Sequence, residues 1–214
     1  MQTVAFCEID PLCQKVLRRH WPEVTIYDDI RQLTATKLVA DGIAVEVICG
    51  GFPCQDISRA GKGLGLSGER SGLWFEIDRL VSEILPRYII LENAAELRRN
   101  GLDVVLGCLA SRGYDAQWES LRASFFGLPH RRERTWIVAN RNGERELQPG
   151  WGVSDKRGWC GNQGEAINWI LSSGGILRSN DGIPARLDRI GMTGNAVIPQ
   201  IPEAIGRAIL AAQI

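Results

Sequence analysis

The chain has 214 residues, of which 44% are hydrophobic and 23% charged. That balance supports a packed core of about one domain and excludes a mainly disordered polypeptide. The 25 Lys and Arg residues are matched by 25 Asp and Glu, so any basic surface for a nucleic acid must be local.

No stretch approaches the roughly 18 apolar residues of a membrane helix. Met1 is not followed by the basic start and apolar run of a secretory leader. A cytoplasmic protein with no membrane partner is therefore expected. Six cysteines (Cys7, Cys13, Cys49, Cys54, Cys108, Cys160) are scattered without a C-x-x-C pair, and the only histidines are His20 and His130. That spacing predicts no metal site.

In chain order, Val4–Ile9 predicts a short buried strand. Pro11 suits the start of a helix with Leu12, Val16 and Leu17 on one face. A strand at Val24–Tyr27 and a helix over Leu33–Ala40 follow. Val45–Cys49 is a strand that runs into Gly50-Gly51-Phe52-Pro53-Cys54. Residues 55–72 are glycine-rich and polar, the composition of a mobile loop. Leu73, Ile77, Leu80, Val81 and Ile84 keep helical spacing. Tyr88–Leu91 predicts a strand, Val104–Leu109 a helix, and Ala116–Arg122 and Thr135–Ala139 two more strands. Residues 141–182 are rich in Gly, Asn, Ser, Arg and Trp and weakly periodic, which suits a loop-rich insertion. A closing helix from about Pro199 carries Ile201, Ile205, Ile209 and Leu210. Strands alternating with helices predict an α/β fold around a mostly parallel sheet.

In open parallel sheets, active residues lie just past the carboxyl ends of strands. Gly50 to Gln55 occupies such a place, with Pro53 fixing the turn that presents Cys54. Glu92-Asn93 occupies another, following Leu91, and offers a carboxylate for acid, base or hydrogen-bonding work. His130 to Arg134 precedes an apolar strand, where an Arg fork can point into the same cleft. Gly63-x-Gly65-x-x-Gly68 spells a dinucleotide fingerprint but follows no strand, so it is set aside.

Together these segments resemble the DNA cytosine carbon-5 methyltransferases over most of residues 3–140 and 186–210. Gly51 to Gln55 matches the family's nucleophile motif and Glu92-Asn93 its Glu-Asn motif, with Ala94 where Val is usual. Arg132-Glu133-Arg134 matches Arg-x-Arg, with His130 where Gln is more usual. Gly194-Asn195-Ala196-Val197 matches Gly-Asn-x-Val. Glu8 and Asp29-Ile30 fall at the acidic cofactor contacts. The resemblance implies a Rossmann-like methyltransferase sheet, with a catalytic domain over 1–140 and 183–214 and a short target-recognition insertion over 141–182. It also implies methyl transfer from S-adenosylmethionine to carbon 5 of a cytosine flipped out of double-stranded DNA.

On that resemblance, Cys54 is the nucleophile, Glu92 binds the ring edge, Arg134 binds the ring carbonyl and Arg132 supports the pocket. Glu8, Ile9, Asp29, Ile30, Pro53, Asn195 and Val197 serve the methyl donor. Gln55, Ser58, Arg59, Lys62 and Arg70 face DNA on a lid after the nucleophile. Trp151, Trp159 and Trp169, with Lys156 and Arg157, either read DNA or form a small core. The family begins with a further strand and a Gly-rich loop around the donor's methionine part, and Met1 stands two residues before what corresponds to the second strand. The expectation is therefore an N-terminally truncated chain that binds the donor poorly alone and calls for a complementing N-terminal fragment. A restriction enzyme is a further expected partner. Two other readings stay open: an inactive fragment that binds DNA or a partner chain, and a transfer-RNA cytosine-5 methyltransferase. A cysteine hydrolase is disfavoured, because neither histidine has a recognisable triad context.

Overall fold

The structure is a computed structural model that describes residues 1–52, 72–126, 132–141 and 197–212. These fall into two compact units. Residues 1–120 and 134–141 contribute to the first, and 121–126, 132–133 and 197–212 to the second.

The first unit opens with β1 (Ala5–Cys7), α1 (Pro11–His20) and β2 (Thr25–Tyr27). It continues through α2 (Ala35–Ala40), β3 (Val47–Gly51) and α3 (Leu73–Ile84). β4 (Tyr88–Ala94), a 3-10 turn at Ala95–Arg98 and α4 (Leu102–Ser111) follow, and then β5 (Tyr114–Arg122) and β6 (Glu133–Arg141). The last two strands run from one unit into the other.

The α/β class is as expected, but the strands form two sheets. β1 and β2 pair in parallel over Ala5↔Thr25, Phe6↔Ile26 and Cys7↔Tyr27. The other four strands stand in the order β3-β4-β6-β5. β3 and β4 are parallel from Val47↔Tyr88 to Gly51↔Glu92. β4 and β6 are antiparallel from Tyr88↔Asn140 to Ala94↔Arg134. The larger sheet is therefore mixed, because β6 inserts between β4 and β5 against the direction of β4.

The apolar run Tyr88-Ile89-Ile90-Leu91 is buried throughout, as a strand flanked on both edges and covered on both faces must be. α3 lays Trp74, Ile77 and Val81 against Ile89, Leu91 and Ile137, and Val105 and Leu109 of α4 join that cluster. A second cluster gathers Tyr27, Leu33, Leu38 and Leu80, with Ala5 and Val45 packed on it. α3 ends where Leu85 turns left-handed at φ 51° and its N–H returns to the Val81 carbonyl, with Pro86 next. That combination closes a helix, since proline cannot continue it. Across the loop, the Tyr114 hydroxyl donates to the Pro86 carbonyl at 2.6 Å.

α1 departs from its expected orientation. Leu12 and Val16 stay exposed, and the one buried side chain of this helix is Gln14. Its amide donates to the Glu8 carbonyl at 2.6 Å and to Asp28 Oδ1 at 2.9 Å. A polar side chain that ties two strand ends together has displaced the apolar stripe as the inward face.

In the second unit, Ala123 N–H donates to the Arg132 carbonyl at 2.8 Å, and Arg122 pairs with Glu133 at 2.7 Å. Helix α5 (Gln200–Ala212) buries Ile201, Ile205 and Ile209 and leaves Leu210 exposed. Among the described residues, no helix is long and apolar enough to cross a membrane. The expected insertion at 141–182 lies outside the described residues apart from Arg141.

Candidate active site

Glu92 does not follow its strand. β4 continues through Glu92, Asn93 and Ala94 because β6 keeps pairing as far as Arg134. The extension sets Glu92 between Gly51 on β3 and Trp136 on β6. Arg134 Nε then reaches Glu92 Oε1 at 3.0 Å, with the side chains 26% and 18% exposed. So little exposure shields the pair from water, and each group orients the other.

Gly51 makes room for this carboxylate. A Cβ there would stand 3.2 Å from the Glu92 carbonyl oxygen and 3.2 Å from Glu92 Oε2. Asn93, 3% exposed, performs a second task. Its Nδ2 donates to the Phe52 carbonyl at 3.1 Å and its Oδ1 accepts the Ala94 N–H at 2.8 Å. The backbone just ahead of Pro53-Cys54 is thus pinned to the strand that carries Glu92. The Phe52 ring is buried against Trp74, with centroids 5.4 Å apart. The Trp74 indole N–H is buried without a hydrogen-bond partner among the described residues.

The expected donor residues lie at the ends of β1 and β2. Glu8 extends that ladder by donating its N–H to the Tyr27 carbonyl at 2.9 Å. Its Oε1 accepts the Asp10 N–H at 2.8 Å, while Oε2 receives no bond from a described residue. Asp29 is held by Arg31, whose Nη2 stands 2.8 Å from Oδ2 and whose backbone N–H donates to Oδ1 at 2.9 Å. The Arg31 side chain and backbone hold the Asp29 carboxyl below the usual range. Ile30 is half-buried between the two apolar clusters, and Ile9 is 64% exposed. Asp29 also lines an open cavity of about 370 Å³ with Tyr27, Asp28, Gln32, Lys37 and Asp41.

Two carboxylates at neighbouring strand ends with an apolar residue beside one of them suit a ligand bearing a diol and an amino-purine. A carboxylate accepts bonds from both groups. Glu8 Oε2 has an open position among the described residues, whereas Arg31 already meets both Asp29 oxygens through its backbone N–H, Nε and Nη2, so a purine amino group would share Asp29 with that guanidinium. S-adenosylmethionine has those groups.

Glu92 and Arg134 are thus brought together, as are Glu8 and Asp29 through the parallel ends of β1 and β2. Arg132 and Val197 belong to the second unit, and Val197 is 41% exposed. Cys54, Pro53, Gln55, Ser58, Arg59, Lys62, Arg70 and Asn195 lie outside the described residues. Sequence reasoning missed Gln14, Gly51 and Asn93 as structural parts of these sites. Asn93 and Gly51 each stood in a recognised motif, whereas nothing in the local pattern marked Gln14. Among the described residues, no group of acidic, His or Cys side chains is arranged to hold a metal ion.

Residues 1–158 match the family model for C-5 cytosine-specific DNA methylases. The chain belongs to that family. It is 33% identical over 146 residues to type II methyltransferase M2.BsuMI of Bacillus subtilis (strain 168), covering 64% of this chain and 36% of the relative. It is also 33% identical over 139 residues to type II methyltransferase M.CviJI of Paramecium bursaria Chlorella virus IL3A, covering 64% and 37%. The chain therefore spans about a third of the length of these curated relatives. Among solved structures it resembles the Dnmt2 methyltransferase of S. pombe, with a TM-score of 0.55 and 22% identity over 68% of this chain and 43% of that one. That likeness is one of fold, and it agrees with a Rossmann-like methyltransferase architecture.

Proposed function

We propose that this chain is the nucleophile-bearing part of a DNA cytosine-5 methyltransferase. The complete enzyme transfers a methyl group from S-adenosylmethionine to carbon 5 of a cytosine flipped out of duplex DNA. The observation that carries this reading is the Glu92–Arg134 pair. Glu92 stands directly opposite Gly51 in the ladder, and Asn93 secures Phe52 beside it, with Pro53-Cys54 next in the chain.

Carbon 5 of cytosine is a weak nucleophile. In this reading the Cys54 thiolate forms a bond to carbon 6, and the electron pair of the 5,6 double bond makes carbon 5 able to attack a methyl group. S-adenosylmethionine supplies that methyl group and leaves as the thioether. A base then removes the proton on carbon 5, the bond from Cys54 to carbon 6 breaks, and the double bond returns. Glu92 accepts from the amino group and shares a proton with ring nitrogen 3 as the ring gains electrons, while Arg134 holds the ring carbonyl and Arg132 supports the pocket. Because Glu92 and Arg134 already orient one another, little reorganisation is needed as charge develops on the ring.

Glu8 accepts from the donor's ribose hydroxyls and Asp29 from its amino-purine. Ile9, Ile30, Pro53, Asn195 and Val197 complete the donor site. Gln55, Ser58, Arg59, Lys62 and Arg70 contact DNA, the basic ones through phosphates. The names of the curated relatives extend the proposal to modification beside a restriction enzyme. A complementing segment is part of the same reading, because among the described residues β1 and β3 each pair with a strand on one side only.

The test is covalent trapping on duplex DNA carrying 5-fluorocytosine, with S-adenosylmethionine present and Cys54→Ser as control. Fluorine blocks the final elimination, so a competent enzyme stays attached through Cys54. A donor-dependent, Cys54-dependent adduct is expected once any complementing segment is supplied. An adduct that survives Cys54→Ser would sink the mechanism.

A further inference from the structure

Arg79, in the middle of α3, belongs to none of the motifs above, yet its guanidinium is more heavily bonded than an ordinary surface ion pair requires. Nε meets Glu76 Oε2 at 2.8 Å and Nη1 meets Glu83 Oε1 at 2.7 Å. These partners lie one helical turn away on either side, and such pairs alone contribute little. Here they aim the remaining nitrogen. Nη2 donates to the carbonyl oxygens of Ile30 at 2.8 Å and Leu33 at 2.9 Å. Glu83 Oε2 accepts the N–H of Ala35 at 2.9 Å, at the first residue of α2. Three bonds therefore tie α3 to residues 30–35.

That segment begins at the donor-side residues. The N–H groups of Gln32 and Leu33 both fold back on the Asp29 carbonyl, at 3.1 and 3.2 Å. The turn leaves the Ile30 and Leu33 carbonyls pointing outward, and Arg79 is what they meet. A half-buried carbonyl left unbonded is costly. Lysine cannot replace the fork, because its single ammonium cannot span two carboxylates and two carbonyls. At its other end the same helix packs Trp74 on Phe52, the residue before Pro53-Cys54. A single rigid helix thus touches both the donor-side turn and the end of the strand that leads to the expected nucleophile.

We propose that Arg79 is a positioning residue for the methyl-donor site, fixing the Asp29–Leu33 turn on α3 so that donor binding is coupled to the placement of that helix. The proposal rests on the donor-site reading given above. The experiment compares the full chain with Arg79→Ala, Arg79→Lys and a control, Arg112→Ala, which removes another ion pair of α3, to Asp78, but has no bond to residues 30–35 among the described residues. Amide hydrogen exchange is followed at residues 31–35 without ligand. S-adenosylmethionine is then titrated to millimolar concentration with NMR detection of residues 29–33.

Arg79→Ala should speed exchange at residues 31–35 and weaken donor binding about tenfold, the effect of losing one hydrogen bond to a charged group. Arg79→Lys should recover part of both, and Arg112→Ala should change neither. Unchanged exchange in Arg79→Ala, or an equal change in Arg112→Ala, overturns the positioning role whatever the donor does. Faster exchange with unaltered donor affinity overturns the coupling. If the unsubstituted chain shows no shift with the donor even when a complementing N-terminal segment is supplied, the donor-site reading itself fails and takes the coupling with it, and the exchange data identify that case separately.

Discussion

Two adjacent glycines at the end of β3 allow a controlled test of the site geometry. An added Cβ at Gly50 would meet only Ile77 Cδ1, at 4.0 Å, an ordinary contact. At Gly51 it would meet the Glu92 carbonyl oxygen and Oε2, both at 3.2 Å. The first of these is backbone in a strand paired on both sides, so it has little freedom to move. The second can turn away only by leaving Arg134, 3.0 Å from the other carboxylate oxygen. Both Gly→Ala changes reduce the entropy of the unfolded chain and so gain roughly 0.4–1 kcal/mol. At Gly51 that gain is offset by overpacking of about 1–3 kcal/mol. Gly50→Ala should therefore be neutral or slightly stabilising, and Gly51→Ala destabilising by about 1 kcal/mol. In urea, with a slope of about 2 kcal/mol/M, the Gly51→Ala midpoint should fall by roughly 0.5 M at unchanged slope. A Gly51→Ala midpoint equal to or above that of Gly50→Ala would refute the claim that Gly51 exists to clear space for Glu92.

Two further outcomes are expected. Asn93→Ala should cost about 1–3 kcal/mol in the same urea assay, since it strands the buried Phe52 carbonyl. Asn93→Asp should rescue little of this, because a carboxylate cannot donate to that carbonyl. At high pH, Tyr27 should limit stability. Burial first, then the hydrogen bond and charge of Asp41, push its phenol from 10.0 up to about 12. A folded pKa above the unfolded one means the contribution is complete below about pH 10 and lost as pH rises toward 12. Tyr27→Phe should flatten that alkaline loss in thermal melts between pH 9 and 12; an unaltered slope would show that another group titrates there.

Much of this molecule was legible in the sequence. The predicted helices and strands recur among the described residues, although Val4 and Ile9, expected in a buried first strand, lie exposed outside β1. Apolar runs such as Tyr88–Leu91 and the spacing of Ile77, Leu80 and Val81 carry the period of the structure they form. What period cannot carry is direction and neighbour. Nothing in Thr135–Ala139 says that it runs against β4, or that it inserts ahead of β5, and so the expected sheet was too parallel. The extension of β4 through Glu92 depends on its partner strand rather than on its own residues. α1 was misjudged because Gln14 finds two distant acceptors, Glu8 and Asp28, that no helical wheel displays. Arg79 was invisible for the same reason: its partners Glu76 and Glu83 are local, but the carbonyls of Ile30 and Leu33 are 49 and 46 residues away.

The small β1–β2 sheet has a dynamic consequence. Three residue pairs join its strands, and a two-stranded sheet is marginal on its own. The cluster of Tyr27, Leu33, Leu38 and Leu80 and the bonds of Gln14 hold it shut. This corner of the fold should open locally well before β4 and β6 do, at a free-energy cost below that of global unfolding. Glu8 and Asp29 border it. A ligand that grips both strand ends must also keep this corner closed, so part of its contact energy goes into ordering protein. Its binding should appear as slowed exchange across β1, β2 and the turn to Leu33, well beyond the atoms it touches.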